Sequence, residues 1–527
     1  MNPRTKLNLM LSALAVSACL IAVTLAGCGK GDDSPRSDSL RVGIGTDVRT
    51  WHFDQFPGGD SRFVWSQVYE TLCRLSPDLE LKPGLATTWE SSDGGRVWTF
   101  QLRAGVKFHD GSELTAQAVV FSYSEQASSR RTVLRSVEKV EALNSRTVRF
   151  YLKRAMPLPY YLTHVGWPVM GAGSLAEEGA FRAPVGTGPY RFQKHVPDER
   201  VVLEAFEDYW GGEPAVEQVV FRVLPSATTR VMALESGELD MVVKVQESDV
   251  PRLENRGDVT VHRTLSTFTD FLQFNCRREP LDQLVVRRAV ARAIDTTRLT
   301  RTVLEGVGEP ARGRPYCPRM LYADPDLELI EHDPEAARRL LSGAGWEDGD
   351  GDDILEKGGT ALELTLLVSQ NANVGVGGRF FMMAEVIQQA LRRVGIDVNI
   401  RQLESGAFLR AENRGEFDML LRTGFYVWGP YPRHFFLHSL KNPYNHCDMP
   451  QLDDLIRRAD AAPTESARRS LYRKLQREVV GRLPAFYLTH QEKVVATGPR
   501  VAGYRITAEP PWLNLSGIRL TKTKRPR

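Results

Sequence analysis

The chain has 527 residues, and its 68 lysines and arginines nearly match its 65 aspartates and glutamates, which leaves a formal net charge of +3 at pH 7. Because both signs of charge are spread along the chain, the basic surface typical of a nucleic-acid-binding protein is not expected. Domains usually hold about 100–200 residues, so the length predicts two to four of them and a large buried core.

The N-terminus has the pattern of an export signal. Arg4 and Lys6 precede an apolar run that ends in LAGC at 25–28. This order is similar to that of a lipoprotein signal, in which the cysteine carries lipid and becomes the first mature residue. A polar segment poor in apolar residues follows, as expected of a flexible tether. The predicted parts are a signal peptide over 1–27, a lipid-bearing Cys28 and a tether over 28–37.

A hairpin-like pattern follows further along the chain. Apolar and polar side chains alternate over 98–102, which predicts a half-buried strand. Ala104-Gly105 supplies a turn before a second short strand over 106–108. Thr115 is placed to cap a helix that buries the apolar residues after it.

The short motifs of this region, and their order along the chain, resemble those of the family 5 extracellular solute-binding proteins, which capture peptides and other solutes for ABC importers. Similar runs recur through the mature chain. They are YE at 69–70, PGLA at 83–86, WTF at 98–100, VKFHDG at 106–111, VGTGPY at 185–190, DYWGGEP at 208–214, ALESGELD at 233–240 and AID at 293–295.

The resemblance implies an α/β fold of the two-lobe periplasmic-binding-protein type (type II, large cluster C), with an extra subdomain inserted in lobe I. Two chain crossings would join the lobes, at the apolar segments 271–275 and 487–490. The expected parts are lobe I over 38–75, 190–277 and 491–527, the insert over 76–189, and lobe II over 278–490.

Two helical stripes are predicted in the second lobe. Apolar residues recur at helical spacing over 286–294 and again over 380–391, and 398–400 then reads as a strand. The first helix would turn its basic residues to solvent; they are Arg287, Arg288 and Arg292.

Four cysteines remain after Cys19 leaves with the signal and Cys28 is lipidated. In an oxidising compartment they can form disulfides, and three pairings are open. No CxxC pattern suggests a metal or redox site, and no cofactor is predicted. The four are Cys73, Cys276, Cys317 and Cys447.

Motifs for catalysis are not found: the chain has no GxSxG, HExxH or GxxxxGK, and no catalytic residue is predicted. DGDGDD at 348–353 begins like a calcium loop. Gly at its sixth position and Glu at its twelfth are missing, which favours an acidic surface turn. His434 and His438 would share one helix face near His446-Cys447, but this spacing also arises by chance, so no metal site is predicted.

The segment 418–432 bears most directly on the ligand. Peptide-binding relatives carry here an aspartate that holds the ligand's α-ammonium, and alignment on Gly424 and Pro432 puts Trp428 at that position. A neutral aromatic does not compensate the desolvation of a buried ammonium as a carboxylate does, although it offers a cation–π face. This departure weakens the peptide assignment.

Other ligand contacts follow from the same resemblance. Arg422 matches a basic position that meets the ligand's carboxylate in some relatives; the alternative is a surface arginine at a strand end. Aromatic side chains beside it would wall an apolar or sugar-like ligand. The predicted ligand-binding residues are Trp51, Phe53 and Asp54 in the loop after the first strand, Asn275, Arg422, Gly424, Phe425, Tyr426 and Trp428.

These observations predict an extracytoplasmic, lipid-anchored and monomeric receptor that captures a peptide or similar small solute between two lobes. Its expected partners are that ligand, the permease of an ABC importer and the membrane, through the lipid on Cys28, with no nucleic acid. No catalysis is expected. Two alternatives stay open: a non-peptide ligand such as an oligosaccharide, opine or metal chelate, and an enzyme or sensor on the same scaffold.

Overall fold

The computed structural model describes residues 38–51, 59–123, 136–164, 166–176, 181–370, 377–425, 446–462, 464–508 and 513–521. Its strands are β1 Ser39–Ile44, β2 Cys73–Leu75, β3 Leu81–Pro83, β4 Ala86–Ser92, β5 Val97–Leu102, β6 Val137–Asn144, β7 Thr147–Leu152, β8 Tyr190–Val196, β9 Arg200–Ala205, β10 Gln218–Val223, β11 Met241–Val243, β12 Thr260–Phe274, β13 Gly308–Pro310, β14 Glu356–Lys357, β15 Thr360–Ala361, β16 Glu363–Ser369, β17 Asp397–Leu403, β18 Met419–Phe425, β19 Ala485–Thr497, β20 Val501–Ala502 and β21 Arg519–Leu520.

The described α-helices lie mostly between these strands. They are α1 Ser61–Val68, α2 Ala116–Ser122, α3 Leu158–Tyr161, α4 Ala227–Glu235, α5 Val250–Glu254, α6 Leu284–Ala293, α7 Thr296–Val303, α8 Pro334–Gly343, α9 Gly377–Arg392, α10 Ser405–Arg414, α11 Pro450–Asp460 and α12 Glu465–Arg482.

One mixed sheet organises the molecule. Its order is β17-β16-β18-β12-β19-β11-β1-β10-β9-β8, and β13 also pairs with β19. The strands β1 and β8–β11 form a first half, and β16–β18 form a second half. The long strands β12 and β19 lie between the halves and pair antiparallel with each other from Thr260↔Thr497 to Gln273↔Ala485, with two irregularities in register. Residues 271–274 and 487–490 of the two predicted crossings thus belong to neighbouring strands at the centre of the sheet, and Asn275 directly follows β12.

Each half has its own apolar core. Val42, Val219 and Met241 are fully buried in the first half. Leu366 and Ile387 are fully buried in the second. Because each half buries its own side chains, the two can be stable units joined mainly by β12 and β19. The lobe boundaries given above stay a prediction.

A second, four-stranded antiparallel sheet has the order β4-β5-β7-β6. Its core residues Phe100 and Phe150 pack edge to face, with ring centroids 5.5 Å apart. The same apolar cluster continues into Leu455 of α11 and Tyr472 of α12. The small sheet therefore shares a core with two helices of the second half.

Several local predictions are confirmed. The segment 98–102 lies in β5, Thr115 caps α2 by accepting from the Ala118 N–H at 3.3 Å, and 398–400 lies in β17. The stripe over 380–391 is buried at Phe380, Ala384, Ile387 and Leu391.

Two local predictions are wrong. The segment 106–108 forms only an isolated bridge from Lys107 to Glu113 rather than a strand. Arg287, expected on the solvent face of α6, is only 5% exposed. Its guanidinium donates to main-chain carbonyls of Leu281 and Leu483, at 2.7 and 3.1 Å. A buried arginine that ties a helix to a neighbouring loop cannot be told from a solvent-facing one by helical spacing.

The structure pairs Cys276 with Cys447 in a disulfide that joins positions 171 residues apart. Cys276 follows β12 directly, so the bridge fastens the end of this strand to the segment before α11. Cys73 and Cys317 are buried and are not disulfide-bonded.

Candidate ligand-binding cleft

The parallel strands β1 and β11 end at the same edge of the sheet, with Gly43 opposite Val242. In α/β sheets, ligands bind beyond the carboxyl ends of such strands, where neighbouring connections diverge. The connections that leave this edge carry Gly45 and Thr46 after β1 and Lys244 after β11. This edge therefore marks one wall of a candidate site.

Asp60, just before α1, organises that wall. Its Oδ2 accepts from the main-chain N–H of Gly45 at 2.7 Å and of Thr46 at 3.3 Å, and its Oδ1 pairs with the Lys244 ammonium. Burial raises the pKa of Asp60, but Lys244, the Gly45 N–H and the charge of Arg62 more than offset it, so the net pKa is lowered. Burial also lowers the pKa of Lys244 to about 8, against the opposing effect of Asp60. The pair holds the two loops together at the wall.

Asp270 occupies the centre of the crossing strands and is fully buried. Its Oδ1 accepts from Thr423 Oγ1 and Gln491 Nε2, both at 2.6 Å, and its Oδ2 accepts from Thr489 Oγ1 at 3.0 Å. Arg379 Nη2 lies 3.4 Å from Oδ1. We call these five residues the Asp270 cluster. It joins β12, β18, β19 and α9 by hydrogen bonds around one carboxylate.

Arg379 extends this cluster toward the first half of the sheet. It lies in the first turn of α9, and its Nη1 donates to Glu247 Oε1 at 2.6 Å. Glu247 begins a short 3-10 turn three residues after Lys244. The wall at β11 and the second half of the sheet are thus in direct contact through one ion pair.

His490 lies beside the cluster on β19 and is 1% exposed. Its Nδ1 is 3.0 Å from Thr269 Oγ1. Burial, assisted by the charge of Arg314, lowers the pKa of His490 to about 3, so the imidazole is neutral at physiological pH. His490 can therefore bond to a hydroxyl here without adding charge to the crossing.

Part of the predicted ligand set can be located. Trp51 is 8% exposed and packs edge to face on Phe192, with centroids 5.2 Å apart. The Asn275 amide donates to the carbonyls of Gly415 and Phe417 at 3.1 and 3.0 Å, an arrangement that ties β12 to the turn before β18. Gly424 and Phe425 lie in β18, where their backbones face Thr269 and Phe268 of β12. Phe53, Asp54, Tyr426, Trp428 and Cys28 lie outside the described residues.

Arg422 lies in β18 beside the Asp270 cluster. Its guanidinium pairs with the carboxylate of Glu412 on α10 and lies 5.9 Å from the centre of the Phe408 ring. The Glu412 side chain is fully buried; burial raises its pKa, and Arg422 opposes that shift. Arg422 thus neutralises an internal carboxylate, and its contact with a ligand stays a prediction.

The sequence reasoning missed Glu247, Asp270, Arg379 and Gln491. One signal was present, because Asp270 is the charged residue inside the otherwise uncharged segment STFTDFLQF at 266–274. A carboxylate in a central strand needs partners, and such a position is a candidate for a structural or functional hub. Arg379 carried no comparable signal, since arginines are mostly exposed and its position in the first turn of α9 does not indicate burial.

The residues considered as metal ligands in the sequence lie in different structural settings. Carboxylates of Asp348, Asp350, Asp352 and Glu356 offer ligand atoms within 4.8 Å of one another on an exposed turn. Cys447 is disulfide-bonded and so offers no thiolate. His434 and His438 lie outside the described residues.

The fold, with two halves joined by paired crossing strands and a small extra sheet, defines a type II periplasmic binding protein with two lobes. A family model for bacterial extracellular solute-binding proteins, family 5, matches residues 80–445. The chain therefore belongs to this family of solute-binding proteins.

Individual relatives agree with this assignment. The chain is 30% identical to di/tripeptide-binding protein 2 of Pseudomonas aeruginosa, over 96% of this chain and 98% of the relative. It is also 30% identical to the nickel-binding periplasmic protein of Escherichia coli, over 78% and 82%. The crystal structure of NikA from Brucella suis in complex with Fe(III)-EDTA superposes with a TM-score of 0.83 at 27% identity, covering 92% of this chain and all of that one. Among the described residues, none of the helices has the length and apolar character needed to cross a membrane.

Proposed function

We propose that this protein is the receptor of an ABC importer, which captures a peptide or similar small solute between its lobes and presents it to the permease. Binding would act by population shift, because a ligand that touches both lobes favours the closed form by its differential affinity for that form. The protein would work as a monomer and catalyse nothing. Membership of the solute-binding family supports this function.

The observation that carries the proposal is the polar contact between the halves at the crossing strands. Buried carboxylates with several donors from different elements are costly to place in a core, and they recur where a protein needs a defined geometry. Here Arg379 of α9 bonds both to Asp270 of β12 and to Glu247 on the connection after β11, which supports a defined geometry between the halves.

Small-angle scattering tests the receptor mechanism. Protein as purified, with any ligand it retains, is compared with protein stripped by unfolding and refolding. We expect the stripped form to have the larger radius of gyration, and mass spectrometry of the released solute would identify the ligand. Identical profiles, with a solute released, would contradict closure around the ligand.

The ligand class is open between two candidates. Relatives named for di- and tripeptides favour a peptide. Trp428, at the position of the ammonium-binding aspartate, favours a ligand without a free α-amine, such as an oligosaccharide, opine or metal chelate. A buried ammonium without a carboxylate costs several kcal/mol, so simple peptides should then bind weakly.

Calorimetry with a pool of di- to pentapeptides separates the candidates. Sub-micromolar binding that disappears on N-acetylation would establish a peptide receptor in which another carboxylate has replaced the missing aspartate. Weak binding with and without acetylation would support the non-peptide ligand. Arg422 and Trp428 would then be the first residues to substitute against the solute that co-purifies.

We also propose that the mature protein is anchored through lipid on Cys28, with residues 28–37 as tether. The basic start, the apolar run and LAGC at 25–28 support this location. Metabolic labelling with palmitate should mark the wild-type protein and not Cys28→Ser, which lacks the acceptor thiol. Label that persists in this variant would contradict the anchor.

A further inference from the structure

Arg379 forms ion pairs that connect the second half of the main sheet to the first half and to the crossing strand β12. Its side chain is 8% exposed, and it contacts Glu247, whose side chain is 29% exposed, and Asp270, whose side chain is fully buried. The distances are 2.6 Å to Glu247 and 3.4 Å to Asp270. One guanidinium therefore serves two carboxylates that belong to different elements.

A change of hinge angle would affect the Arg379–Asp270 contact and the Arg379–Glu247 contact differently. Asp270 is on β12, at the crossing itself, where it is also bonded to β18 and β19. Glu247 is on the connection that follows β11, in the first half of the sheet. A rotation of the second half about the crossing strands would leave Asp270 near α9 and would move Glu247 away from it. The Glu247 contact is thus the one that depends on closure.

The local environments make this contact reversible. Asp270 retains three other donors if Arg379 shifts, from Thr423, Thr489 and Gln491. Glu247 is exposed enough to be hydrated when it loses its partner, and hydration of a released carboxylate limits the cost of separation. Arg379 would keep Asp270 as its fixed partner and exchange Glu247 for water.

We propose that Arg379 is a positioning residue that latches the closed form of the cleft by its ion pair with Glu247, with Asp270 as its fixed anchor. This inference rests on the proposed function, because it assumes that the two halves open and close. The latch sets the fraction of closed protein before any ligand arrives, and so it tunes the affinity for whichever solute the cleft accepts.

Spin labels can measure that fraction directly. Met232 on α4 and Leu409 on α10 are 61% and 45% exposed and lie in the first and second halves. Labelled Met232→Cys and Leu409→Cys in one chain report the distance between the halves by pulsed electron resonance. This doubly labelled chain is the background, and it is compared with the same chain carrying Glu247→Gln or Glu235→Gln. Glu235 is the matched control, since its carboxylate pairs with Arg252 inside the first half alone.

In the stripped protein we expect Glu247→Gln to lower the ratio of short to long distances by about fivefold, the effect of a partly exposed ion pair. Added salt should lower this ratio in the background and in Glu235→Gln, and should have little effect in Glu247→Gln. Glu247→Asp, which keeps the charge, should restore part of the short-distance population. A purely structural role of Glu247 would give no such salt dependence.

Two results would overturn the latch, and they differ in meaning. If the distances of the background respond to removal of its bound solute but Glu247→Gln and Glu235→Gln behave alike, the cleft closes without this latch. If the background shows one fixed distance both as purified and stripped, the proposed closure fails and the latch fails with it. Circular dichroism of each variant verifies that the fold is kept.

Discussion

Asp270 and Glu70 are two carboxylates that are shielded from water to different degrees, and they differ in the groups that compensate this loss of hydration. Asp270, at the crossing of the lobes, accepts from two hydroxyls and an amide and has Arg379 as a cationic partner. Glu70 is only partly buried and lies between α1 and β2. Its donors are all neutral: Trp210 Nε1 at 2.7 Å, Thr187 Oγ1 at 2.9 Å and Tyr209 OH at 3.0 Å.

The lack of a cationic hydrogen-bond donor at Glu70 has a consequence for its protonation. Burial raises the pKa of Glu70 to about 7, although its three neutral donors, led by Trp210, oppose the shift. Hydrogen bonds alone therefore do not hold this group in its charged form through the physiological range. Asp270 has the Arg379 guanidinium 3.4 Å away, whereas Glu70 accepts from neutral donors and changes its charge near neutral pH.

Removal of the Asp270 carboxylate should have the largest effect of the changes considered. Asp270→Ala leaves two hydroxyls and an amide without their acceptor, and it leaves Glu247 as the remaining partner of Arg379. A buried donor without an acceptor costs about 1–3 kcal/mol, so we expect the free energy of unfolding by urea to fall by about 3 kcal/mol or more. Asp270→Asn, which keeps one acceptor oxygen, should lose less. Equal stability of Asp270→Ala and wild type would show that the cluster contributes nothing to the fold.

Much of the fold was accessible from the sequence, because runs such as PGLA at 83–86 and WTF at 98–100 carry both local pattern and family resemblance. Periodicity also gave β5 and the buried stripe of α9. It failed at Arg287, whose guanidinium donates to the Leu483 carbonyl of a loop 196 residues further along the chain. Spacing along one helix contains no information about that loop.

The candidate site was less accessible for a related reason. Asn275 and Arg422 were identified as ligand contacts by their alignment with relatives, yet the structure shows their polar groups bonded to Gly415 and Glu412. The Asp270 cluster draws its members from β12, β18, β19 and α9, which are separated by up to 221 residues. Only the assembled sheet brings them to one point.

The pH dependence of Glu70 should be the next largest effect. Its folded pKa of about 7 lies above its ordinary value of 4.5, so the folded state binds the proton more tightly than the unfolded state. The stability that follows is fully present below about pH 4.5 and is lost as the pH rises through 7. At about 1.4 kcal/mol per pKa unit, the loss amounts to no more than about 3.5 kcal/mol.

Glu70→Gln measures this contribution. The amide can accept from Trp210 and donate to the Tyr209 hydroxyl, and it does not titrate. We therefore expect the variant to gain stability relative to wild type between pH 5 and pH 8, as measured by urea unfolding at both values. Glu90→Gln, at an exposed position, serves as the matched control. A constant difference between Glu70→Gln and wild type across this range would mean that Glu70 is already ionised at pH 5 in the folded protein.

Paired threonine substitutions give the smallest and sharpest comparison. Thr423 donates to Asp270 at 2.6 Å and Thr187 donates to Glu70 at 2.9 Å. Valine has nearly the same shape as threonine, so Thr→Val removes one hydroxyl donor from the partners of each carboxylate. A hydrogen bond to a charged group contributes about 1.5–3 kcal/mol and a neutral one about 1 kcal/mol. At pH 6, where Glu70 is mostly protonated, Thr423→Val should therefore cost about twice as much as Thr187→Val. Loss of the Thr187 donor should also raise the pKa of Glu70 further, which moves the loss of stability to higher pH in that variant only. If the two variants lose equal stability at pH 6 and share one pH profile, the Arg379 guanidinium does not strengthen the hydrogen bonds that Asp270 accepts.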